Sequence, residues 1–258
     1  MELDIALAGL IVGMLVGLTG IGGGSLLTPA LIVIFNVTPL TAVGTDLVFN
    51  AVTKLFGSAQ HARQGTINYR LVLFLAIGSI PGALGGIGLI SLLERVYDVD
   101  VSGVVVGVLS VTLIIAGAMI FLRPLLDRRE LPPTDVRIFV PFEVRRTITI
   151  GLGLVTGFLV GITSIGSGAL ILPVLTLFYP LAMKRIVGTD IVHAMVLASV
   201  AAAAHWGAGN VDWSLAGNLL VGSIPGVVIG SRLLVVAPER LMRPALAGLV
   251  IFAGVRLI

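Results

Sequence analysis

Long runs without any aspartate, glutamate, lysine, arginine or histidine constrain the fold of this chain more than any other feature. They cover residues 5–45, 71–93, 101–122, 147–183 and 213–231. A membrane hydrocarbon core about 30 Å thick is crossed by about 20 apolar residues of helix, and each run is close to that length or longer. Only 11% of the 258 residues are charged, whereas soluble domains average about 25%. The charged faces of soluble surface helices are missing, so the sequence predicts an all-α polytopic membrane protein.

The rest of the composition narrows the range of partners. The net charge of +3 is what basic cytoplasmic loops produce, so we expect no nucleic-acid partner. The chain has no cysteine, which excludes disulfides and thiolate metal sites, and we expect neither a metal nor a cofactor. The N-terminal sequence MELDIALAGL has acids where a secretory signal has basic residues. We therefore predict that the first apolar segment is a retained membrane span.

The chain repeats itself at an offset of 144 residues. Residues 17–82 align with 161–226 without a gap, and 24 of the 66 pairs are identical. The identities cluster in the glycine-rich stretch, in VGTD, in H-x-x-x-G and in GSIPG. Four ungapped clusters at one offset indicate two homologous halves. We assign the first transmembrane repeat to 1–122, a polar cytoplasmic linker to 123–146 and the second transmembrane repeat to 147–258.

Five apolar elements are predicted in each half, and the charges of the loops orient them. Their bounds are 5–18, 22–36, 41–61, 70–92 and 101–122, then 147–163, 168–180, 187–207, 213–235 and 242–258. The linker holds six arginines and four acids, and short basic loops face the cytoplasm. The other basic loops then fall inside, namely those with Arg63 and Arg70, Lys184 and Arg185, and Arg232, Arg240 and Arg243. The N-terminus and the acidic loops fall outside, with Glu2, Asp4, Glu94, Asp98, Asp100 and Asp212.

This orientation predicts a multi-pass protein of the cytoplasmic (inner) membrane with both termini outside. An odd number of elements in each half means that the halves cross the membrane in opposite senses. Inverted-topology repeats around a site near the bilayer midplane are typical of secondary transporters. An even number of elements in each half would make the repeats parallel instead.

Glycines interrupt the first apolar run of each half at the same place. The stretches are GLTGIGGGSLLTP at 17–29 and GITSIGSGALILP at 161–173. Glycine costs about 1 kcal/mol per helical position, and elements 22–36 and 168–180 are short for a span. We predict a broken helix or re-entrant hairpin in each half, giving 8–10 membrane helices in all. The alternative interpretation is that these small residues let helices pack closely.

A helix that starts inside the membrane presents free N–H groups and a positive dipole end, which suit an anion. Irregular backbone at that depth is tolerated where it lines a cavity. With two inverted copies, two such helix ends converge on one central site. The substrate-binding residues that we predict in these stretches are Gly22, Gly23, Gly24, Ser25, Ser164, Gly166, Ser167 and Gly168.

The third element of the first half carries three polar side chains along one face. Asp46 of VGTD is followed by Asn50 and Lys54 at four-residue intervals, which lie on the same side of a helix. An unpaired ammonium in mid-span would cost several kcal/mol. We therefore interpret Lys54 as an anion contact or as the partner of Asp46, and we add Asn50 and Lys54 to the predicted substrate-binding residues.

The second half keeps VGTD but changes its surroundings. Alanines replace Asn50 and Lys54, and His193 replaces Phe49. Charge inside a membrane is by default a functional-site hypothesis, with the alternative that each VGTD aspartate is a helix N-cap. The residues that we predict for coupling or gating are Thr45, Asp46, His61, Thr189, Asp190, His193 and His205.

Two other classes of function find less support in the sequence. GIGGGS lacks the lysine of a phosphate-binding loop. An intramembrane serine hydrolase would use Ser167 with His193 or His205, and it requires a direct contact between serine and histidine. A passive channel requires a continuous polar lining, whereas these spans are mostly alanine, valine, leucine, isoleucine and glycine. We predict no enzymatic activity and keep the passive anion channel as an alternative.

The motifs GLTGIGGGSLLTPALI and VGTD, the H-x-x-x-G-x-I-N of 61–68 and the second-half copies ending in GNVDW resemble the TauE/SafE family of sulfite exporters. This family is also called the 4-toluene sulfonate uptake permease family, and the resemblance covers essentially both halves. It implies a cytoplasmic-membrane transporter of small sulfur-containing anions such as sulfite or organosulfonates.

The resemblance and the residues predict the same function. We expect a secondary transporter, an exporter, whose halves rock against each other and expose the anion site alternately to each side. Export of an anion is electrically downhill by about 2.3 kcal/mol per charge per 100 mV. Uptake is the alternative direction, and it would require coupling to protons or sodium. The other expected partner is the lipid bilayer, and a homodimer is left open.

Overall fold

The computed structural model describes residues 3–19, 24–127, 142–166, 168, 170–179, 181–234 and 239–257. Three residues of the predicted substrate site, Gly22, Gly23 and Ser167, lie outside this set. Within it the chain forms ten helices and no strand. They are α1 Leu3–Thr19, α2 Gly24–Val33, α3 Pro39–Arg63, α4 Tyr69–Tyr97, α5 Ser102–Asp127, α6 Phe142–Thr163, α7 Ile171–Phe178, α8 Met183–Gly207, α9 Trp213–Leu234 and α10 Glu239–Leu257.

The helices correspond in order to the ten predicted elements. The second element of each half is short as expected, with 10 residues in α2 and 8 in α7. α5 continues to Asp127 and α6 begins at Phe142, so both helices extend into the segment 123–146 assigned to the linker. In the second half, α6 ends at Thr163 and Ser164 has a positive φ of 62°. The chain therefore leaves the helix where the glycine-rich stretch begins.

The outer surface of the described part is apolar. Five helices are long and apolar enough to cross a membrane, namely the segments Tyr69–Tyr97, Ser102–Leu122, Arg146–Thr163, Lys184–Gly207 and Trp213–Gly230. Large apolar side chains point outward along these and other helices, including Phe56, Val155 and Phe252. Trp206 and Trp213 are exposed near helix ends with their rings edge to face, 5.5 Å apart. This is the arrangement of a protein whose solvent is lipid, with tryptophan at the interface.

Two glycine seams hold α1 against α9 and α6 against α4. An added Cβ on Gly13 would lie 2.5 Å from the carbonyl oxygen of Ser223, and one on Gly157 would collide with the carbonyl of Ser79. The two contacts are equivalent at the 144-residue offset. Similar collisions involve Gly9, Gly222, Gly226 and Gly230 in one seam and Gly153, Gly161, Gly78, Gly82 and Gly86 in the other. Small residues let membrane helices approach to backbone contact in this way. Among these seam glycines, Gly161 belongs to a glycine-rich stretch, and the others lie outside both stretches.

The helices α3 and α8 cross the centre of the molecule and run antiparallel to each other. Near the start of α3, Gly44 lies against His205 at the end of α8. Near the end of α3, Gly57 approaches Ile191, and Gly188 at the start of α8 lies against His61. The pair α5 and α10 is also antiparallel, since Gly117 contacts Ala247 while Gly254 contacts Ser110. Each of these four helices therefore packs against its own repeat equivalent in the opposite direction.

Candidate substrate and coupling site

The carboxylate of Asp46 is a hydrogen-bonded polar group in the core. Its side chain is fully buried, and both of its oxygens accept a hydrogen bond. The hydroxyl of Thr28 donates to Oδ2 at 2.6 Å, and the amide of Asn50 donates to Oδ1 at 2.9 Å and to the Asp46 carbonyl at 3.0 Å. Asn50 and Asp46 share a face of α3, as their four-residue spacing predicts. Thr28 comes from α2, so this bond fixes α2 on α3.

The first residue of α2 meets the helix break of the second half at this carboxylate. An added Cβ on Gly24 would lie 2.5 Å from the carbonyl oxygen of Ser164 and 3.3 Å from Oδ2 of Asp46. Glycine is thus required there for close approach. The hydroxyl of Ser25 is buried and has no hydrogen-bond partner among the described residues. The buried hydroxyl of Ser164 interacts with the Asp46 carboxylate. The glycine-rich stretches of both halves therefore meet beside Asp46, close to two buried hydroxyls.

Lys54 lies further along α3 and is half-buried. It interacts electrostatically with Asp190 and with Asp46, and also with His193. Lys54 therefore interacts with both VGTD aspartates, whereas its spacing along the sequence indicated Asp46 alone. One ammonium lies near two carboxylates.

The second-half aspartate has a different environment. Asp190 is buried, and its Oδ2 is 3.8 Å from an added Cβ on Gly168, whose φ is 74°. The equivalents of Thr28 and Asn50 are Leu172 and Ala194, which carry no polar group. One turn beyond Asp190, the fully buried ring of His193 has its Nε2 2.8 Å from the Ser79 hydroxyl. Its Nδ1 has no hydrogen-bond partner among the described residues.

The VGTD threonines join the two halves at opposite ends of the α3–α8 pair. Thr45 accepts the backbone N–H of Asp212 at 3.1 Å, and Thr189 accepts the backbone N–H of Asn68 at 3.0 Å. The two bonds are equivalent at the 144-residue offset. The side chains of Asn68 and Asp212 also cap α4 and α9, accepting backbone N–H groups at 3.2 and 2.9 Å. Each threonine therefore attaches to the first turn of a helix from the other half.

The remaining predicted residues lie further from the carboxylates. His205 is buried and donates from Nε2 to the Gly161 carbonyl at 2.8 Å, while Nδ1 of His61 is 2.8 Å from the Thr66 hydroxyl. An added Cβ on Gly166 would meet the Val160 side chain, which gives this glycine a packing role. Thr28 and Ser79 were not among the predicted site residues. Two features of the sequence could have indicated them: the repeat equivalent of Thr28 is a leucine, and Ser79 is repeated within GSIPG in the second half.

The fold and the buried polar centre define a polytopic membrane transporter. The sulfite exporter TauE/SafE family model matches residues 5–257, and the chain belongs to this family. It is 45% identical to the "Probable membrane transporter protein YjnA" of Bacillus subtilis, over the full length of both proteins. It is 25% identical to YunE of the same organism, covering 89% of this chain and 85% of that protein. No solved structure gives a significant match to the chain.

Proposed function

We propose that this transporter moves small sulfur-containing anions, such as sulfite or organosulfonates, out of the cell by alternating access. The anion site lies at the start of α2, where the two glycine-rich stretches meet. The observation that supports this site most directly is the buried Ser25 hydroxyl, which has no hydrogen-bond partner in the described residues, together with the buried Ser164 hydroxyl beside Asp46. Buried hydroxyls are normally hydrogen-bonded. Together with the free N–H groups of the first turn of α2, they form a donor set suited to a sulfur oxyanion.

The proposal includes an inverted arrangement of the two repeats, 1–122 and 147–258. It is supported by the antiparallel packing of α3 on α8 and of α5 on α10, because equivalent helices in parallel repeats would run in the same direction. The equivalent glycine seams support the same two-fold relation. In this arrangement α1 with α2, and α6 with α7, form the broken helices or re-entrant hairpins, whose ends meet near the midplane.

The grouping of the loops supports the proposed orientation. Thr38, Asp98, Asp100 and Asn210 come from three loop regions assigned to the outside, and they line one cavity of about 440 Å³. Among these groups, the backbone N–H of Ser102 donates to Asp100 at 2.9 Å and lowers the pKa of its carboxyl. This end therefore stays acidic at neutral pH, as expected for the outer face.

The opposite end carries basic groups. Arg70 and Arg146 both approach the ring of Phe74, at 5.7 and 5.4 Å from its centroid. They belong to separate basic segments that the loop charges assign to the cytoplasm. Export is the proposed direction because the inside-negative potential drives an anion outward. The passive channel and the coupled uptake permease stay as the alternative functions.

The proposal is tested by thermal shift of the purified protein with sulfite, thiosulfate, sulfoacetate and taurine. A ligand that binds the folded state raises the melting temperature by mass action. We expect stabilisation by at least one sulfur anion, weakened in Ser25→Ala, Ser164→Ala and Lys54→Ala. Ser110→Ala is the matched control, because Ser110 is buried but donates within α5 to the Val106 carbonyl at 2.7 Å. If none of the four compounds stabilises the wild type, the substrate class is wrong.

Counterflow in proteoliposomes separates the carrier from the channel. Vesicles preloaded with unlabelled anion should accumulate labelled anion transiently, because an alternating-access carrier exchanges one for the other. A channel equilibrates the label without such an overshoot, and that result would favour the passive alternative.

A further inference from the structure

The charges around the proposed anion site do not balance when an anion is bound. In the described part of the chain, the buried Asp46 and Asp190 carboxylates both interact with the half-buried Lys54. One positive charge therefore compensates two negative charges before any substrate binds. A sulfur anion at the start of α2 adds one or two further negative charges. Uncompensated charge in a low-dielectric core is strongly unfavourable, so a positive charge must enter with the anion.

Asp46 is the acceptor closest to the proposed anion position. Its Oδ2 is 3.3 Å from an added Cβ on Gly24, the first residue of α2. The neighbouring apolar segments 24–33, 102–122, 147–163 and 213–231 contain no aspartate, glutamate, lysine, arginine or histidine. The titratable groups on the central helices near it are thus Lys54 on its own helix and three groups on α8. Asp190 and His193 are both linked to Lys54, and the buried His205 lies against Gly44.

The hydrogen bonds of Asp46 suit a proton better than a metal cation. The Thr28 hydroxyl and the Asn50 amide donate to the carboxylate, and the Ser164 hydroxyl also interacts with it, whereas a metal cation needs surrounding oxygens that present lone pairs. A hydroxyl is also able to reverse its role. Once Asp46 is protonated, Thr28 can accept from it and donate instead to a carbonyl one turn earlier in its own helix.

Other helix threonines of this protein already make that bond. The hydroxyls of Thr112, Thr156, Thr163 and Thr176 each donate at 2.7 Å to the carbonyl four residues earlier. Thr28 donates to Asp46 instead. A bond from the Thr28 hydroxyl to a carbonyl of its own helix would therefore be like those of the other four threonines. The change requires only rotation of the hydroxyl.

We propose that Asp46 is a proton site of the transporter and that the anion binds when this carboxyl is protonated, so that one proton crosses with each anion. This inference rests on the proposed function and specifies its coupling ion. A monovalent sulfonate then crosses without net charge. A dianion crosses with one net negative charge, and the membrane potential still drives it outward. Through this proton, the proton gradient also contributes to the direction of transport.

Thiosulfate is the probe for this coupling, because its acid groups stay ionised above pH 5.5 and pH then acts on the protein alone. Its apparent Kd is measured by thermal shift between pH 5.5 and 8.5. Protonation favours binding, so the affinity falls as pH rises, by about tenfold per pH unit above the titration of the carboxyl. In proteoliposomes containing a pH dye, inward thiosulfate flux should acidify the lumen of wild-type vesicles.

Asp46→Asn imitates the protonated carboxyl. It should bind thiosulfate at every pH as tightly as the wild type does at the lowest pH, and it should move no protons. Asp98→Asn is the matched control, since Asp98 is exposed at the end of α4 in a left-handed conformation that asparagine also adopts. This control should keep the wild-type pH dependence.

The other outcomes overturn the inference in distinguishable ways. Binding by the wild type that does not change with pH, or transport that requires sodium in choline-substituted buffer, removes the proton from the mechanism while the anion transporter stands. A pH dependence lost in His193→Gln but kept in Asp46→Asn assigns the proton to His193. If thiosulfate neither binds nor crosses at any pH while another sulfur anion does, the pH titration is repeated with that anion over a range where its own charge is constant. An affinity that does not change with pH then overturns the inference. Failure of all the sulfur anions refutes the proposed function as well.

Discussion

The two VGTD aspartates occupy equivalent positions and have unlike surroundings. Asp46 has a hydroxyl and an amide donating to it from α2 and α3, whereas the same positions around Asp190 hold Leu172 and Ala194. The bonds made by the neighbouring threonines Thr45 and Thr189 are nearly identical, at 3.1 and 3.0 Å. The duplicated scaffold is therefore kept where the halves attach to each other. It differs where a ligand would be handled, which is expected if a single asymmetric substrate is bound.

The two glycine seams give the first test of this comparison, because equivalent substitutions in them should have equal effects on stability. Gly13→Ala and Gly157→Ala each push a methyl group into a facing backbone carbonyl. Overpacking of this kind costs about 1–3 kcal/mol or more, and the two losses of stability should be similar. Gly151→Ala is the control within α6, since an added Cβ there has open space around it. It should raise stability by up to about 1 kcal/mol, measured by thermal or denaturant unfolding in detergent.

The hydrogen bond from Thr28 to Asp46 has no counterpart at Leu172 in the second half. We therefore expect its loss to cost more stability than the loss of a threonine hydroxyl in the second half. Thr28→Val removes a donor from a fully buried carboxylate and should destabilise the protein by about 1.5–3 kcal/mol, as for other bonds to charged groups. Thr176→Val in α7 removes only a bond to the carbonyl of its own helix, and it should cost well under half as much. Equal melting temperatures for the two variants would show that the Thr28 bond has no special weight.

The two glycines beside the aspartates should respond in different ways. Gly24→Ala forces a methyl group to within 2.5 Å of the Ser164 carbonyl, so it should abolish anion-induced stabilisation. Gly168 has a φ of 74° and no comparable collision. Gly168→Ala should therefore cost about 1–2 kcal/mol through left-handed strain and retain anion binding. Parallel thermal-shift titrations with sulfite and thiosulfate measure both effects, and loss of binding in both variants would contradict the distinction.

We expect the smallest effects from the hydrogen bonds by which Thr45 and Thr189 join the two halves. Thr45→Val and Thr189→Val each remove one neutral hydrogen bond between the halves, worth about 1 kcal/mol. Equal shifts in melting temperature are expected. In counterflow, each variant should alter the exchange rate, because each bond holds one end of α3 or α8 to the other half. A change in stability without any change in exchange would make the bonds structural only.

The order of the helices could be predicted from the sequence because it depends on local features. Apolar runs, the glycines after Gly17 and Gly161, and the charged loops lie next to the boundaries that they specify. The four-residue spacing of Asp46 and Asn50 also determined that they share a helix face, and the structure adds the hydrogen bond between them.

Contacts between distant segments could not be predicted in the same way. Nothing local to Thr28 indicates that it meets Asp46, and Ser79 and His193 are more than a hundred residues apart. The glycines raise the same difficulty. Site glycines and packing glycines look alike in sequence, since the difference depends on which backbone approaches them. The structure identifies Gly13 and Gly157 as packing residues, whereas the substrate role of Gly24 is still a prediction.

The glycine seams also determine which parts of the molecule can move as units. By sequence α1 belongs to the first half, yet its backbone lies against α9 of the second, and α6 lies in the same way against α4. Backbones in direct contact have no intervening side chains that could rearrange, so the helices of each pair move together. We therefore expect the rigid units of a transport cycle to combine helices from both repeats. A rocking motion would carry α1 with α9 and α4 with α6, and the duplicated halves would not be the moving parts.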